Sequence, residues 1–286
     1  MIFENKILKK HLFKGLTNYN EYLKKNSLDR LLCINLNSYG NVKAKQIKNL
    51  YYSVNPSIKE SYPPELDDLI RLHYLIILRK VTTILEFGIG KSTIIFNDAL
   101  TKNKKKYEHF VNINLRRESK FECHTVDNQL KWIKKIRSNN NLINVKYHYA
   151  EVKMGTFNDR ACTFYKKLPN VCPDFIYVDG PDQFSVKGSI RGVSTCRQER
   201  LPMSGDILML EHFLLPGTLI VVDGRTANAR FLKTNLQRDW IYFHDKNNDQ
   251  HYFELIEDPL GIYNKKQIDF CLGNKFYIRS KKKLII

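Results

Sequence analysis

Short apolar runs rich in β-branched residues alternate with helical stretches from residue 81 onward, and this alternation predicts the fold. The predicted strands are 81–87, 121–127, 145–151, 174–179, 217–223, 239–244 and 251–257. The predicted helices that lie between or after them are 92–102, 128–137, 157–167, 205–215 and 226–237. Such alternation is typical of a mainly parallel sheet with helices on both faces. We therefore expect an open α/β domain.

The last two predicted strands are separated by a short polar loop, 246–250, which is too short to hold a helix. We expect these strands to form an antiparallel hairpin at the edge of the sheet.

The segment SYPPELDD, at 61–68, predicts the start of a helix that covers 65–79. Prolines are tolerated in a first helical turn, and carboxylates there suit the positive end of the helix dipole. Residues 1–62 show weaker apolar periodicity, around 18–34 and 41–52. We expect a helical N-terminal extension over 1–62 and the α/β domain over 63–286.

Composition narrows the class of protein. The chain has 286 residues, of which 43% are hydrophobic and 27% charged, which is ordinary for a globular protein. No apolar run approaches the roughly 18 residues of a membrane span, and MIFENKILKKHLF has no apolar core of a secretory signal. The six cysteines include no C-x-x-C pair, which argues against a zinc cluster and favours reduced thiols. We expect a cytoplasmic protein.

The formal net charge of +18 is the unusual number in the composition. A strongly basic chain is compatible with nucleic acid or with an acidic small molecule as partner. The lysines are spread widely, however, and short clusters such as 104–106 and 281–283 are typical of solvated faces. Binding to nucleic acid is therefore an open alternative that the charge alone does not favour.

The stretch ILEFGIGKST, at 84–93, is the most informative motif in the chain. A buried strand ends there, glycines follow at 88 and 90, and a helix begins near Ser92, so the backbone can turn sharply and approach a ligand. A phosphate-binding G-x-x-x-x-G-K-[ST] loop requires glycine at position 85, which is Leu85. A dinucleotide-binding G-x-G-x-x-G turn requires glycine at position 93, which is Thr93.

An acidic residue followed by G-x-G resembles motif I of the class I S-adenosylmethionine-dependent methyltransferases. The resemblance implies a Rossmann-like fold, S-adenosyl-L-methionine as cofactor and methyl transfer as the activity. It also implies that Glu86, Gly88, Gly90 and Ser92 belong to the cofactor site, where the glycine turn packs against the methionine part and the acidic residue helps to orient it. By motif order and strand pattern it covers about 65–257.

Three further carboxylates fall at predicted strand ends: Asp127, Asp179 and Asp223. Because the carboxyl ends of parallel strands form one edge, where ligands bind, these groups are expected to meet Glu86 there. Asp127 suits the two hydroxyls of a ribose, and Asp179 is placed with it in the cofactor site. Asp127 follows Glu86 by 41 residues (127 − 86), against about 20 in a compact unit. We expect an inserted basic loop at 103–120 to account for the excess.

The strand ends also resemble those of small-molecule O-methyltransferases that use a divalent metal. Asp179 and Asp223 match two metal-ligand positions of that family, but its third ligand, an Asn, corresponds to Gly224. Two carboxylates and waters could hold Mg²⁺. A divalent metal therefore stays open but is not favoured, and no metal ligand is assigned.

Methyl transfer requires alignment of the reactants and, for some acceptors, a base. Candidate catalytic bases are Asp182, Asp223 and His212. The connection 181–204 is long and carries basic residues that could grip an anionic acceptor: Lys187, Arg191, Arg197 and Arg200, with Arg225 and Arg230 beyond it. Enzymes that methylate amino groups of nucleic-acid bases carry a D/N-P-P-Y/F turn after the fourth strand, where this sequence has DGPD. Enzymes that methylate cytosine C5 use a Pro-Cys pair, which this sequence lacks. Both kinds of acceptor are therefore disfavoured.

We therefore expect a small-molecule acceptor, methylated on oxygen, such as a sugar, a glycan precursor or another metabolite. An RNA methyltransferase, a non-catalytic Rossmann-like nucleotide- or sugar-binding module and an NAD-dependent enzyme remain alternatives.

Overall fold

The structure, a computed structural model, describes residues 2–4, 6–33, 65–139 and 141–282. The strands of this part are β1 (Ile2–Glu4), β2 (Thr83–Phe87), β3 (Glu122–Asp127), β4 (Val145–Tyr149), β5 (Val152–Phe157), β6 (Arg160–Tyr165), β7 (Phe175–Val178), β8 (Leu219–Asp223), β9 (Trp240–Asp245) and β10 (Gln250–Leu255). In the described residues, eight of them form one sheet in the order β1-β9-β10-β8-β7-β2-β3-β4, while β5 and β6 pair separately.

The seven strands predicted from the apolar runs are all present, each within two residues of its predicted bounds. β2, β7 and most of β8 are buried along their length because helices cover both faces of the sheet. This arrangement confirms the Rossmann-like α/β fold.

The helices of the described residues pack on both faces of the sheet. They are α1 (Lys6–Leu12), α2 (Tyr19–Lys25), α3 (Leu28–Leu31), α4 (Leu66–Leu78), α5 (Lys91–Asn114), α6 (Leu130–Asn139), α7 (Gly205–Leu210), α8 (Thr226–Asn235), α9 (Gly261–Cys271) and α10 (Asn274–Lys282). One apolar cluster joins α4 and α5 to the sheet, and another joins α7 and α8 to the opposite face.

The order of the strands reverses at β2. It pairs in parallel with β3 on one side and with β7 on the other, and the chain then continues outward from β7 to β8. In open α/β sheets a ligand crevice forms outside the carboxyl ends of the strands at this reversal. The fold therefore places the loops after β2, β3 and β7 around one crevice.

The predicted hairpin of the last two strands is present. β10 is antiparallel to both of its neighbours, β8 and β9, and β1 adds a parallel strand beyond β9. The carboxyl end of β9 consequently lies at the same edge of the sheet as the carboxyl end of β8.

The predicted helix at 157–167 is wrong, because this segment belongs to the β5–β6 hairpin. Asn158 and Asp159 have φ of 47° and 60°, the two left-handed positions that a tight hairpin turn requires. Gly155 on β5 lies directly beneath the ring of Phe164 on β6, since a Cβ at Gly155 would come within 2.7 Å of it. Turn chemistry and cross-strand packing therefore outweigh the helical appearance of the sequence.

The predicted inserted loop at 103–120 is also wrong in its first two thirds, because α5 continues to Asn114. Asn103 and Val111 are buried at helical spacing, and Val111 packs with Leu115 and Phe121 in a small cluster. The basic residues of this stretch occupy the remaining, mostly exposed faces of the helix, so a narrow buried face is retained in a lysine-rich sequence.

The N-terminal extension contains helices, as predicted, over the residues that the structure describes. The helical periodicity around 41–52 lies outside them. Apolar side chains of this segment, such as Leu8, Leu12 and Leu23, pack in the same cluster as α4 and the sheet. The boundary at residue 63 stays a prediction. None of the helices described here is long and apolar enough to cross a membrane.

Candidate active site

Four predicted site carboxylates lie at the carboxyl ends of four neighbouring strands. Asp127 and Asp223 end β3 and β8, Asp179 directly follows β7, and Glu86 is the penultimate residue of β2. Repulsion from Asp223 and Asp127 contributes to the pKa of Asp179, which shows that these groups lie near one another. The structure thus brings Asp127, Asp179 and Asp223 together at the crevice, with Glu86 enclosed behind them.

Two glycine turns meet at the reversal of strand order. Gly88 has φ of +96°, and a Cβ there would lie 2.8 Å from the backbone nitrogen of Gly180. A Cβ on Gly180 would lie 2.7 Å from the backbone nitrogen of Gly88. Only glycine allows the two backbones this close. The turns after β2 and β7 therefore form one joined floor of the crevice.

Glu86 is fully buried beneath the glycine turn and does not face the crevice. Its carboxylate accepts hydrogen bonds from Ser92 Oγ at 2.6 Å and Thr93 Oγ1 at 2.7 Å, at the start of α5. Burial raises the pKa of Glu86 to about 8, and the hydroxyl groups of Ser92 and Thr93 partly oppose that rise. The hydrogen bond between Glu86 and Ser92 therefore stabilises the conformation of the glycine turn.

Gly90 is the N-cap residue of α5, and its backbone nitrogen donates to Thr93 Oγ1 at 3.1 Å. A Cβ at Gly90 would meet only Ser92 Oγ, at 3.8 Å, so there is room around this residue. Thr93 stands at the position where a dinucleotide-binding turn has its third glycine. Its buried side chain donates a hydrogen bond to Glu86. The loop is thus built around a side chain at the point where a dinucleotide site needs none.

Asp127 holds the glycine turn from the other side. Its Oδ2 accepts from the backbone nitrogen of Ile89 at 2.9 Å, and its Oδ1 accepts from that of Gln129 at 2.6 Å. Burial raises the pKa of Asp127 to about 6, although both backbone hydrogen bonds oppose the rise. A carboxylate offers about four acceptor positions, so each oxygen keeps capacity for a ligand hydroxyl.

Asp179 is the exposed carboxylate of the group, with 53% of its side chain open to solvent. Arg225 Nη2 donates to the backbone oxygen of Asp179 at 2.6 Å, and Arg225 Nε lies 3.5 Å from the carboxylate. Desolvation by the surrounding protein raises the pKa of Asp179 to about 7, while Arg225 opposes the rise. Asp179 is thus open to solvent on one side and faces the guanidinium of Arg225 on the other.

Asp223 is partly buried and is held by two neutral donors. Tyr177 Oη donates to it at 2.7 Å and Gln250 Nε2 donates at 2.9 Å. Desolvation by burial raises the pKa of Asp223. Gln250 in turn accepts from the buried Arg71, at 3.1 Å, so a network of hydrogen bonds fixes the carboxylate from one side.

Asp182 joins the loop after β7 to the end of β3. Its Oδ2 accepts from Gln129 Nε2 at 2.9 Å and from Ser185 Oγ at 2.6 Å. The residue is partly buried and lies close enough to Asp127 to raise the pKa of that group. The structure therefore keeps Asp182 beside the crevice.

His212 is not brought to the crevice. It lies in a short 3-10 helix, Glu211–Phe213, that precedes β8, and it is exposed. Neighbouring Glu211 accepts from the backbone nitrogens of Gln237 and Arg238, which lie before β9. This is the opposite edge of the sheet, because α7 has carried the chain back across it, so the geometry gives no support to His212 as a base.

Tyr165, at the end of β6, was missed by the sequence reasoning. Its side chain is buried, its ring lies 5.6 Å from that of Phe87, and its hydroxyl oxygen has no hydrogen-bond partner. Asp127, Arg225 and Asp179 all influence its pKa, which desolvation raises far above the ordinary value. The signal that would have found it is the Asn158–Asp159 turn, which predicts a hairpin whose second strand returns to the crevice.

The basic connection 181–204 folds against the hairpin. Its backbone pairs with β5 at Lys187 and with β6 at Ser204. The basic side chains suggested for an anionic acceptor are exposed along it or after β8: Lys187, Arg191, Arg197, Arg200 and Arg230. Arg225, in contrast, is largely buried at the crevice. Among these cations, Arg225 is the one in contact with the acidic site residues.

Comparisons with known proteins add little to this geometry. Neither a protein-family model nor a curated protein sequence matches the chain. The solved structure of the methyltransferase PaMTH1 from Podospora anserina, bound to SAH, is similar at 12% identity, over 75% of this chain and 88% of that chain, with a TM-score of 0.38. A likeness of that size does not carry an inference about activity. The described geometry defines a Rossmann-like α/β protein with an acidic crevice.

Proposed function

We propose that this chain is an S-adenosylmethionine-dependent methyltransferase. The observation that supports this most is the acidic crevice around a G-x-G turn, formed by Asp127, Asp179 and Asp223. S-adenosylmethionine carries a sulfonium and an ammonium group, and carboxylates favour such cations. The pyrophosphate of a dinucleotide would instead face these carboxylates at close range, which is unfavourable.

In this proposal Asp127 accepts hydrogen bonds from the ribose hydroxyls of the cofactor, because it lies at the end of the strand next to the glycine turn. Gly88 and Gly90 let the backbone approach the methionine part. Glu86 and Ser92 act through the turn that they brace, and Asp179 faces the bound cofactor from the other side of the reversal.

We propose further that the acceptor is a hydroxyl group of a sugar, a glycan precursor or another small metabolite. Asp223 and Asp182 are the bases that the geometry leaves beside the crevice. Burial raises the pKa of Asp223 towards the range in which a carboxylate is an effective general base. Arg225 is placed to pair with an anionic group of the acceptor.

The first test is calorimetric titration of the purified protein with S-adenosylhomocysteine, with NAD as the control ligand. Micromolar binding of S-adenosylhomocysteine alone supports the proposal. Binding of NAD alone, or of neither ligand, contradicts it. Transfer of a radiolabelled methyl group from S-adenosylmethionine to sugar and nucleotide-sugar pools then tests the acceptor class separately from the cofactor.

Tyr165→Phe should change the affinity for S-adenosylhomocysteine and the thermal stability of the protein in opposite directions. Because a buried hydroxyl without a partner costs roughly 1–3 kcal/mol, the ligand-free variant should unfold at a higher temperature than the wild type. If the hydroxyl donates to the bound cofactor, affinity for S-adenosylhomocysteine should fall by about three- to tenfold, or roughly 1 kcal/mol. Thermal unfolding and calorimetry measure the two effects.

Tyr149→Phe is the matched control, since Tyr149 is 47% exposed at the end of β4. It should change neither quantity. Equal affinity of Tyr165→Phe and wild type would show that the hydroxyl does not contact the cofactor.

A further inference from the structure

A second cluster of polar side chains lies on the turn between β9 and β10, on the face of the sheet that α8 covers. His244 and His251 are directly opposite each other on the two strands, and Asp249 lies in the turn between them. Their potential ligand atoms all lie within 4.8 Å of one another. The cluster is separate from the acidic crevice residues that hold the glycine turn.

The three side chains converge on one point through identifiable atoms. His244 Nε2 lies 3.9 Å from Asp249 Oδ1. Both His251 Nε2 and Asp249 Oδ1 approach the hydroxyl of Thr226, at 3.1 Å and 3.3 Å. When His251 Nε2 carries no proton, the single proton of that hydroxyl can be donated to only one of these two atoms at a time.

One polar atom of the cluster lacks a hydrogen-bond partner. His244 Nε2 is buried and has no hydrogen-bond partner, although its ring stacks on that of His251 with centroids 3.9 Å apart. The imidazole nitrogens of the two rings therefore lie on the same side of the hairpin, within reach of one ion. A cation between this nitrogen and the carboxylate of Asp249 would satisfy both groups.

The opposite nitrogen of His251 is already held in the orientation that a metal ligand needs. His251 Nδ1 lies 2.9 Å from Tyr242 Oη, and His251 is fully buried. When Nδ1–H donates to Tyr242 Oη, the ring is in the tautomer whose Nε2 is free to bind a metal ion. Asp249 and His244 are the more exposed members, with 59% and 24% of their side chains open, so an ion can enter from solvent.

We propose that His244, Asp249 and His251 form a binding site for a divalent transition-metal ion of the zinc class. Two imidazoles and one carboxylate suit such an ion, with water as the fourth ligand. Bonds of about 2.0–2.1 Å place tetrahedral ligand atoms roughly 3.4 Å apart, so the two exposed side chains close on the ion by about 1 Å. The ion would cross-link the two strands and the turn of the β9–β10 hairpin, because all three ligands lie on that hairpin.

The test uses the full chain after dialysis against EDTA, titrated with cobalt(II) chloride. The wild type should develop visible d–d absorption that saturates at one equivalent, and one equivalent of zinc chloride should abolish it and raise the unfolding temperature. Asp249→Asn and His244→Gln should each weaken cobalt binding by about tenfold or more. Both positions are at least partly open to solvent, and circular dichroism checks that the variants remain folded.

Asp159→Asn and His212→Gln are matched controls, because both residues are exposed and lie outside the cluster. They should bind cobalt as the wild type does. Absence of a saturable spectrum in the wild type, or unchanged affinity in Asp249→Asn and His244→Gln, overturns the proposal. A strong thiolate-to-cobalt charge-transfer band also overturns it, since the exposed Cys33, Cys172 and Cys196 would then hold the ion. The proposal does not depend on the methyltransferase activity.

Discussion

Asp127→Ala is expected to weaken binding of S-adenosylhomocysteine by at least tenfold, or about 1.4 kcal/mol. The substitution removes the acceptor proposed for the ribose hydroxyls and releases the backbone nitrogens of Ile89 and Gln129 from their partner. Calorimetric titration of wild type and variant measures the loss. Asp258→Ala, which removes an exposed carboxylate from the opposite edge of the sheet, should bind as the wild type does.

The Asp127→Asn variant and the pH dependence of S-adenosylhomocysteine binding distinguish two roles of Asp127. One is the negative charge that it presents to the ligand, and the other is its hydrogen bonds to the glycine turn. In the free protein the pKa of Asp127 is raised to about 6, so its carboxyl group becomes protonated as the pH falls through 6. If the ionised form accepts the ligand hydroxyls, wild-type affinity falls as the pH drops through 6, whereas titration of Asp179, whose pKa is raised to about 7, affects wild type and variant alike. Asn at this position keeps one acceptor oxygen but does not titrate, so its affinity should be lower at neutral pH and should lack the fall near pH 6. Parallel profiles of wild type and variant would mean that the charge of Asp127 plays no part in binding.

The central strands could be predicted because strands that are buried on both faces consist of nearly continuous apolar runs. Leu219–Asp223 is an example, in which four successive apolar residues precede the carboxylate. The β5–β6 hairpin could not be found in this way, since both its strands mix exposed and buried positions. Its turn residues, Asn158 and Asp159, were the available signal. Continuation of α5 was hidden because lysines surround its narrow apolar stripe.

The sequence predicted where the site residues lie better than it predicted what each side chain does. Strand ends converge by topology, so Asp127, Asp179 and Asp223 meet at the crevice wherever the sheet is parallel. Whether a side chain faces the crevice or the core depends on contacts that a motif does not contain. Glu86 is enclosed because Ser92 and Thr93 reach back to it, and Tyr165 reaches the crevice only through the hairpin.

The charge of the whole chain and the charge of the crevice have opposite signs. The lysines of 104–106 are exposed or partly exposed on α5, remote in sequence from the acidic strand ends. The crevice instead gathers three carboxylates around Arg225. The net charge of +18 therefore does not describe the crevice, and the chemistry of the site follows from the strand ends.

The two glycines of the G-x-G turn have different surroundings, although the motif treats them alike. Gly88 has a positive φ, and its missing Cβ leaves room for the backbone of Asp179 and Gly180, with three backbone atoms within 2.9 Å of the Cβ position. Gly90 has φ of −165°, an extended conformation that any residue adopts, and only Ser92 Oγ at 3.8 Å near its Cβ position. Alanine at the first position must displace backbone, while alanine at the second meets open space.

Gly88→Ala is therefore expected to destabilise the protein by roughly 2–4 kcal/mol, from an unfavourable φ and from overpacking against rigid backbone. Thermal unfolding should show a fall of at least about 5 °C, and affinity for S-adenosylhomocysteine should be lost with the geometry of the crevice floor. Gly90→Ala is the matched control and should cost less than about 1 kcal/mol, mainly through a weaker helix cap. Equal unfolding temperatures for the two variants would show that the turns after β2 and β7 do not pack as closely as the structure has them.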